Sequence, residues 1–244
     1  MKLLVSALES GAEIESVFVA TEDSGPTEAA SAAVDRARER GVRIYHLGPG
    51  VMEKVADTVT PQSLLAVVRT PVATLDDLAA ATFVVVCVDV RDPGNAGAVI
   101  RSADAAGADG VVCCSGTVDP FNPKTVRASA GSVLHMPVVA GGEPAAVLAA
   151  VRGWGMRALA AVAHDGSPYS EVDYVGPLAL VLGNEAAGLP DGLAPLLDGT
   201  VTIPMAGRAE SLNVSMAAAV LCFEVRRARA GSVGPRRVRG GRSE

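Results

Sequence analysis

The sequence predicts an α/β protein, and two observations lead to this prediction. Short apolar runs typical of buried strands, at residues 83–88 (FVVVCV) and 178–182 (LALVL), each lead into a loop that contains glycine. Helical segments rich in alanine accompany these runs. Hydrophobic residues make up 49% of the 244 residues but aromatic residues only 3%, so the core must consist mainly of Val, Ala, Leu and Ile.

The first 72 residues are predicted to form a separate small α/β domain. Its predicted elements alternate along the chain, in the order strand 14–20, helix 27–40, strand 42–47, short helix 51–57 and strand 63–68. Residues 73–80 are the predicted linker to a larger domain over residues 81–230. Residues 231–244 are rich in Gly and Arg and poor in apolar residues, which predicts a disordered tail.

Composition argues against several classes of protein. No window reaches about 18 uninterrupted apolar residues, and the first residues make a poor secretory signal, so we expect a cytoplasmic protein without a membrane span. The four cysteines form no C-x-x-C pair, which predicts buried free thiols and neither zinc nor disulfides. None of the three histidines lies in a motif, and His135 is predicted to be a packed strand residue.

The first segment with functional character follows the strand at 83–88. Residues 92–95 have turn chemistry, and Asn95 is predicted to cap the next helix. Arg101 lies on one helix face with Ala98, Ser102 and Ala105, and these small neighbours leave room for a ligand to approach its guanidinium. The alternative is an ordinary solvent-exposed arginine.

Two further segments contain strand-end loops. Gly183 directly follows a strand and permits close backbone approach, while Glu185 adds a carboxylate that can accept hydrogen bonds from a ribose or an amine. Residues 201–224 begin as a strand, pass through a Pro and Gly loop and open a helix whose predicted first turns contain Ser211, Leu212 and Asn213. This suits a compact ligand at the helix start, although a capped core helix would have the same pattern.

Together the three segments resemble the SpoU/TrmH family of RNA ribose 2′-O-methyltransferases. Its motifs occur in order, as Asn95-x-Gly97-x-x-x-Arg101, Gly183-Asn184-Glu185 with Gly188-Leu189, and Ile203-Pro204-Met205 followed by Ser211-Leu212-Asn213-Val214-Ser215. The resemblance covers residues 83–229 and implies a SPOUT α/β domain with a deep trefoil knot. General rules of topology would not predict such a knot.

The resemblance also implies the cofactor and the site. S-adenosylmethionine is expected in a pocket formed by Gly183, Asn184, Ile203, Met205, Leu212 and Asn213. Arg101 is the expected catalytic residue, and it either helps to remove the hydroxyl proton or clamps a phosphate and stabilises the developing oxyanion. Asn95 is expected to hold its loop, Ser211 and Asn213 to order the pocket, and Glu185 to orient Arg101 or the substrate ribose. No metal is expected.

The implied partners are RNA and a second copy of the chain. The domain before the linker resembles small ribosomal-protein-like domains that bind RNA, which favours ribosomal over transfer RNA. A net charge of −6 is unfavourable for RNA binding, but residues 226–244 hold seven Arg and one acidic residue. Six residues are predicted RNA contacts: Arg36, Arg43, Lys124, Arg127, Arg227 and Arg229. The family also implies a homodimer, to which the Ala-rich last helix would contribute.

Three other interpretations remain open at this point. A transfer RNA 2′-O-methyltransferase would share the motifs. A catalytically silent RNA-binding scaffold would share the fold, although it has little reason to keep Asn95, Arg101, Glu185 and Asn213 together. A nicotinamide nucleotide enzyme is disfavoured, because no G-x-G-x-x-G opens a helix after the first strand of either domain.

Overall fold

A computed structural model describes residues 2–21, 27–56 and 61–232. Within these ranges the first domain contains three helices and three strands, in chain order α1 Lys2–Ser10, β1 Ile14–Ala20, α2 Glu28–Glu39, β2 Arg43–Leu47, α3 Met52–Val55 and β3 Leu64–Val68. The sheet order is β2-β1-β3, with β2 parallel and β3 antiparallel to β1. The predicted alternation of strands and helices is confirmed, with helix ends that differ by one or two residues.

Helices α1 and α2 cover one face of this sheet. Val17 and Val19 of β1 point to that face, where they join Leu4 and Leu8 of α1 and three small apolar residues of α2 in one core. Thr27 begins α2, since its hydroxyl oxygen accepts a hydrogen bond from the N–H of Ala30 at 3.3 Å. The buried alternation of β1 is what a sheet with one covered face requires.

The second domain contains seven strands and four helices, in chain order β4 Phe83–Cys87, α4 Pro93–Ala106, β5 Gly110–Cys113, α5 Pro123–Ala128, β6 Val138–Ala140, α6 Pro144–Gly153, β7 Arg157–Ala161, β8 Ser167–Pro168, β9 Leu178–Leu182, β10 Gly199–Thr202 and α7 Val214–Ser232. Its strand order is β6-β5-β4-β9-β7-β10-β8, and neighbouring strands pair in parallel. The predicted α/β class is confirmed.

This sheet has a core on each face. Alternate residues of β4, beginning with Phe83, pack against α4 and α7, while Val84 and Val86 pack on the other side with α6. Every residue of β4 and β9 is buried. Strands covered on both faces need continuous apolar runs, which is why these two strands were evident in the sequence.

Helix α1 of the first domain contacts the second domain. The Ser6 hydroxyl donates a hydrogen bond to the carbonyl oxygen of Gly131 at 3.4 Å. Gly131 has φ +105°, and a Cβ there would lie 2.3 Å from the Ser6 Oγ, so only glycine fits this contact. Further along the chain, Ala73 in the predicted linker forms a parallel bridge to Val139.

One predicted position is wrong. His135 lies outside any strand, directly after the one-turn 3-10 helix Ser132–Leu134. Its Nε2 lies 3.0 Å from Oδ2 of Asp104 in α4. The Ser132 hydroxyl donates to the same carboxylate oxygen at 2.6 Å. These contacts of Ser132 and His135 with Asp104 stabilise a turn before β6 begins.

The remaining predictions for the fold have separate outcomes. All four cysteines are free and buried, as predicted. Among the described residues, no helix is long and apolar enough to span a membrane. Helix α7 continues to Ser232, and the rest of the predicted tail lies outside the described residues. The knot stays a prediction.

Candidate functional site

A cavity of about 310 Å³ lies where loops follow β7, β9 and β10. Parallel strands present their carboxyl ends at one edge of a sheet, which is where open α/β sheets bind ligands. The walls are mainly apolar and include Leu182, Val201, Ile203 and Leu221. Five predicted cofactor residues line it: Gly183, Asn184, Ile203, Met205 and Leu212. Asn213, the sixth, does not line it.

The loop after β9 is closed by its own backbone. Asn184 and Gly188 exchange two hydrogen bonds, each residue donating its N–H to the other's carbonyl oxygen, at 3.0 and 2.9 Å. The Asn184 Oδ1 accepts from the N–H groups of Ala186 and Ala187. A Cβ on Gly183 would lie 2.6 Å from the carbonyl carbon of Gly188, so the loop closes this tightly only over glycine.

Asn95 joins the three motif segments through its side chain. Its Nδ2 donates a hydrogen bond to Oε1 of Glu185 at 2.5 Å. Its Oδ1 accepts one from Nδ2 of Asn213 at 3.0 Å. Segments 90 and 118 residues away along the chain therefore meet at one amide. We refer to Glu185, Asn95 and Asn213 as the amide bridge.

Asn95 is free to do this because another residue caps α4. The Asp92 side chain accepts the N–H of Asn95 at 2.8 Å, and Pro93 occupies the first turn. The predicted cap at Asn95 is therefore wrong. Asp is a favoured cap, and Pro is well suited to the position directly after it.

The start of α7 also differs from its prediction. The helix begins at Val214, so Ser211, Leu212 and Asn213 precede it instead of forming its first turns. The Asn213 Oδ1 accepts from both the N–H and the hydroxyl of Ser215, at 2.8 and 2.7 Å. This extended approach lets Ser211 and Leu212 line the cavity.

Arg101 lies on α4, away from the cavity wall. Its side chain is exposed and has no hydrogen bond or ion pair within the described part of the chain. Glu185, one of whose two expected partners was Arg101, instead accepts from Asn95. The structure thus gathers Asn95, Glu185 and Asn213 but leaves the Arg101 guanidinium available to an incoming anion.

Most predicted RNA contacts are exposed. Lys124 and Arg127 lie on α5, and Arg43 lies on β2. Arg36 lies 3.8 Å from Glu9, and Arg227 forms an ion pair with Glu224 at 2.6 Å. The Arg36–Glu9 pair is exposed at both side chains, and such pairs contribute little to stability.

Arg229 is a predicted RNA contact whose side chain also forms hydrogen bonds within the protein. Its guanidinium donates to the carbonyl oxygens of Thr82, Tyr174 and Gly176 and lies 5.3 Å from the ring centroid of Phe83. Partial burial lowers its pKa. The RNA contact of Arg229 stays a prediction, and the side chain already ties α7 to the sheet.

Sequence reasoning missed two parts of the site. Residues 161–163 line the cavity after β7, a strand whose buried RALAA run resembles those of β4 and β9. Asp89 has φ +58° and accepts from Nδ2 of Asn184 at its backbone and side-chain oxygens, at 3.0 and 3.2 Å. Among the described residues, no group of three or more His, Cys, Asp or Glu could hold a metal ion.

Comparisons with known proteins agree with this geometry. Residues 82–223 match the model of the SpoU rRNA Methylase family, and residues 1–72 match that of the RNA 2′-O ribose methyltransferase substrate binding domain. The Bacillus subtilis 23S rRNA (guanosine(2553)-2′-O)-methyltransferase RlmP is 37% identical, over 92% of this chain and 85% of its own length.

Two solved structures extend the comparison. An AdoMet-bound rRNA methyltransferase from Sinorhizobium meliloti has a TM-score of 0.79 and 32% identity, and the match covers 93% of this chain and 85% of that one. The SpoU methyltransferase AviRb from Streptomyces viridochromogenes, in complex with AdoMet, has a TM-score of 0.80 and 29% identity, with 94% and 88% covered. Both are similar over both domains.

Proposed function

Because the chain belongs to the SpoU rRNA methylase family, we propose that it transfers a methyl group from S-adenosylmethionine to a ribose 2′-hydroxyl of ribosomal RNA. The observation that carries this proposal is the amide bridge, which holds three motif segments together beside one cavity. Relatives named as rRNA methyltransferases match this chain over both domains, which favours ribosomal over transfer RNA. An rRNA substrate also favours action in the cytoplasm.

The cavity fits S-adenosylmethionine in size and chemistry. Its volume of about 310 Å³ is in the range of small-molecule sites, and its apolar walls suit a nucleoside base. Gly183, Asn184, Ile203, Met205 and Leu212 would hold the cofactor there, with backbone groups of the closed loop available for polar contacts. The bound cofactor supplies an electrophilic methyl group.

The ribose hydroxyl is a weak nucleophile, and Arg101 is the residue that assists its reaction. A guanidinium stays charged under ordinary conditions, so it is a poor proton acceptor and a good anion ligand. Among the described residues Arg101 is exposed and has no hydrogen bond or ion pair, so it is available to bind an RNA phosphate and to stabilise charge developing on the hydroxyl oxygen, while a phosphate oxygen or water accepts the hydroxyl proton. Asn95, Glu185, Ser211 and Asn213 would order the loops that receive the ribose and the cofactor.

The two domains have separate roles, RNA binding and methyl transfer. Residues 1–72 hold the RNA, with Arg36 and Arg43 as contacts, and residues 73–80 link them to the methyltransferase domain at 81–230. Lys124, Arg127 and Arg227 contact phosphates nearer the cavity. All five side chains are exposed.

The methyltransferase domain forms a homodimer through α7. Met216, Val220 and Phe223 recur at helical spacing, and Met216 and Phe223 are 60% and 48% exposed. Such a row beside a ligand cavity is typical of a protein interface, because isolated monomers seldom leave contiguous apolar surface in water. The row is called the α7 stripe below.

Methyl transfer to deproteinised rRNA from cells lacking this protein tests the proposed function. Wild-type protein with radiolabelled S-adenosylmethionine should label one ribose 2′-oxygen, located by reverse-transcription stops. Arg101→Ala should lower kcat by at least about 100-fold, the scale expected for losing oxyanion stabilisation. Arg38→Ala, a surface arginine paired with Asp35, is the matched control and should keep full activity.

One result would contradict the proposed reaction, and another would contradict only the role of Arg101. RNA binding without methyl transfer by the wild type would favour a silent scaffold. Full activity of Arg101→Ala would remove Arg101 from the mechanism while leaving the reaction intact.

A further inference from the structure

Among the described residues, the face of the three-stranded sheet opposite α1 and α2 is uncovered, and it carries a stacked aromatic pair. Phe18 of β1 lies opposite Tyr45 of β2, with ring centroids 5.2 Å apart and ring planes 19° from parallel. Tyr45 is 45% exposed. Leu65 of β3 lies opposite Phe18 on its other side, so the pair belongs to an apolar row that crosses all three strands.

This face does not hold the domain together. The core with α1 and α2 takes Val17 and Val19 from the opposite face, and it includes none of Phe18, Tyr45 and Leu65. Strand β2 is an edge strand. Since Phe18 stacks on one face of the Tyr45 ring, the exposed part of that ring lies on the side away from Phe18.

Positive charge and apolar surface border the aromatic row. Arg43 precedes Tyr45 by two residues on β2, so both side chains point to the same face, and Arg43 is exposed. Arg43 lies opposite Ser16, and Val67 lies opposite Ser16 on the other side, 40% exposed. An exposed ring beside a guanidinium matches the needs of an unpaired base and its phosphate.

We propose that this aromatic face, defined by Phe18, Arg43, Tyr45 and Val67, binds an unpaired nucleobase of the RNA substrate by stacking on Tyr45. The choice of RNA as occupant rests on the proposed function. The inference goes further by naming the surface and the group that it recognises. A base within a duplex is covered on both sides by its neighbours, so the face selects a loop, bulge or single strand.

Direct binding tests the aromatic face. Full-length protein is titrated against a fluorescent oligouridylate of about 12 nucleotides and against a duplex of equal length, with anisotropy as the readout. Tyr45→Ala should weaken single-strand binding by about 5- to 100-fold, the range for losing one stacked base. Tyr45→Phe keeps the ring and should bind within about threefold of wild type.

Two more variants separate stacking from folding defects. Tyr45→Leu keeps apolar bulk in the sheet but removes the ring, so it should lose affinity like Tyr45→Ala and decides the question if the alanine variant misfolds. His46→Ala changes the next residue on β2, which points to the opposite face and is exposed, and should bind as wild type does.

Salt dependence separates the ring from the charge. Arg43→Ala should reduce the slope of log affinity against log salt by about 0.7, the value for one phosphate contact on a single strand. Tyr45→Ala should leave this slope unchanged, because stacking releases no counterions. An equal slope change in both variants would contradict the assignment of stacking to Tyr45.

The outcomes distinguish this inference from the proposed function. Methylation by the wild type with unchanged RNA affinity in Tyr45→Leu would overturn the aromatic face and leave the proposed function standing. If the wild type did not methylate RNA but Tyr45→Leu bound oligouridylate more weakly, the proposed function would be overturned and the aromatic face would stand. If Tyr45→Leu lost self-association in sedimentation but kept its RNA affinity, the face would bind protein, and this result would also overturn the inference.

Discussion

At the scale of single residues, Asn95 can hold two partners because its amide carries a donor and an acceptor. Glu185 takes the donor, and Asn213 supplies a hydrogen to the acceptor. A carboxylate at position 95 has no hydrogen to donate and would face Glu185 with like charge. The amide is therefore the one common side chain of this size that satisfies both neighbours.

We expect Asn95→Asp to weaken S-adenosylmethionine binding by at least about tenfold, the scale of one lost hydrogen bond to a charged group. The Glu185 loop lines the cavity, so its repulsion from the new carboxylate displaces the cofactor site. Calorimetric titration with the cofactor measures the effect. Ser102→Ala is the control on the same helix, since the Ser102 hydroxyl bonds only locally to the Ala98 carbonyl among the described contacts. Equal affinity in Asn95→Asp and wild type would contradict this role.

A second residue-scale prediction concerns Gly183. Gly183→Ala should lower the free energy of unfolding by about 1–3 kcal/mol, because its Cβ meets the Gly188 backbone instead of a movable side chain. A loss of this size corresponds to about 2–12 °C in Tm. Gly192→Ala is the matched control, since a Cβ there meets nothing within 4 Å. Differential scanning calorimetry compares them, and equal Tm values would show that the loop can open to admit the methyl group.

At the scale of elements, α7 takes part in three features of the molecule. Ala218 and Cys222 lie in the core against the sheet. Ala217 lines the cavity, and Val214 and Leu221 belong to both the core and the cavity wall. The α7 stripe is exposed. One helix thus joins the core, the ligand site and the proposed dimer interface, so a change at the interface is expected to reach the cavity.

Charge in the α7 stripe should separate the proposed dimer. Val220→Glu is expected to convert the protein to a monomer in sedimentation velocity, because burying a carboxylate without a partner at an apolar interface is strongly unfavourable. Val175→Glu tests the same substitution at another exposed valine of this domain and should leave the assembly unchanged. A wild type that is monomeric at micromolar concentration would refute the interface altogether.

At the scale of the whole molecule, the buried thiols link stability to alkaline pH. Burial raises the pKa of Cys114 and of Cys222 from an ordinary 9.0 to about 12. The folded chain therefore keeps thiol protons that the unfolded chain loses above about pH 9. Protons bound preferentially by the folded state make stability fall as pH rises.

We expect the free energy of unfolding to be steady below about pH 9 with respect to these thiols and to fall between pH 9 and 12. Urea unfolding at a series of pH values measures this. Cys222→Ala removes one titrating thiol and should show a shallower decline, even though the smaller side chain lowers stability at neutral pH. Parallel curves for the variant and the wild type would exclude Cys222 as a contributor.

The sequence alone determined strands β4 and β9, the order of elements from β1 to β3 and the family motifs, but not helix α1 or the start of α7. Strands β4 and β9 were recognisable because a strand buried on both faces must be apolar at every position, and this condition is local. Gly183 and Asn95 were identified because their motifs keep fixed spacing. The family resemblance implied that the three segments meet, and the hydrogen bonds of Asn95 to Glu185 and Asn213 join them.

Only the tertiary structure decided which side chains contact each other. Arg227 and Arg229 belong to the same basic run, yet one forms a surface ion pair and the other is held by three carbonyl groups, because two residues along an α-helix rotate the side chain by about 200°. The same holds for Asn95, whose partners lie 90 and 118 residues away. Such contacts depend on strand order and helix rotation, which no local pattern encodes.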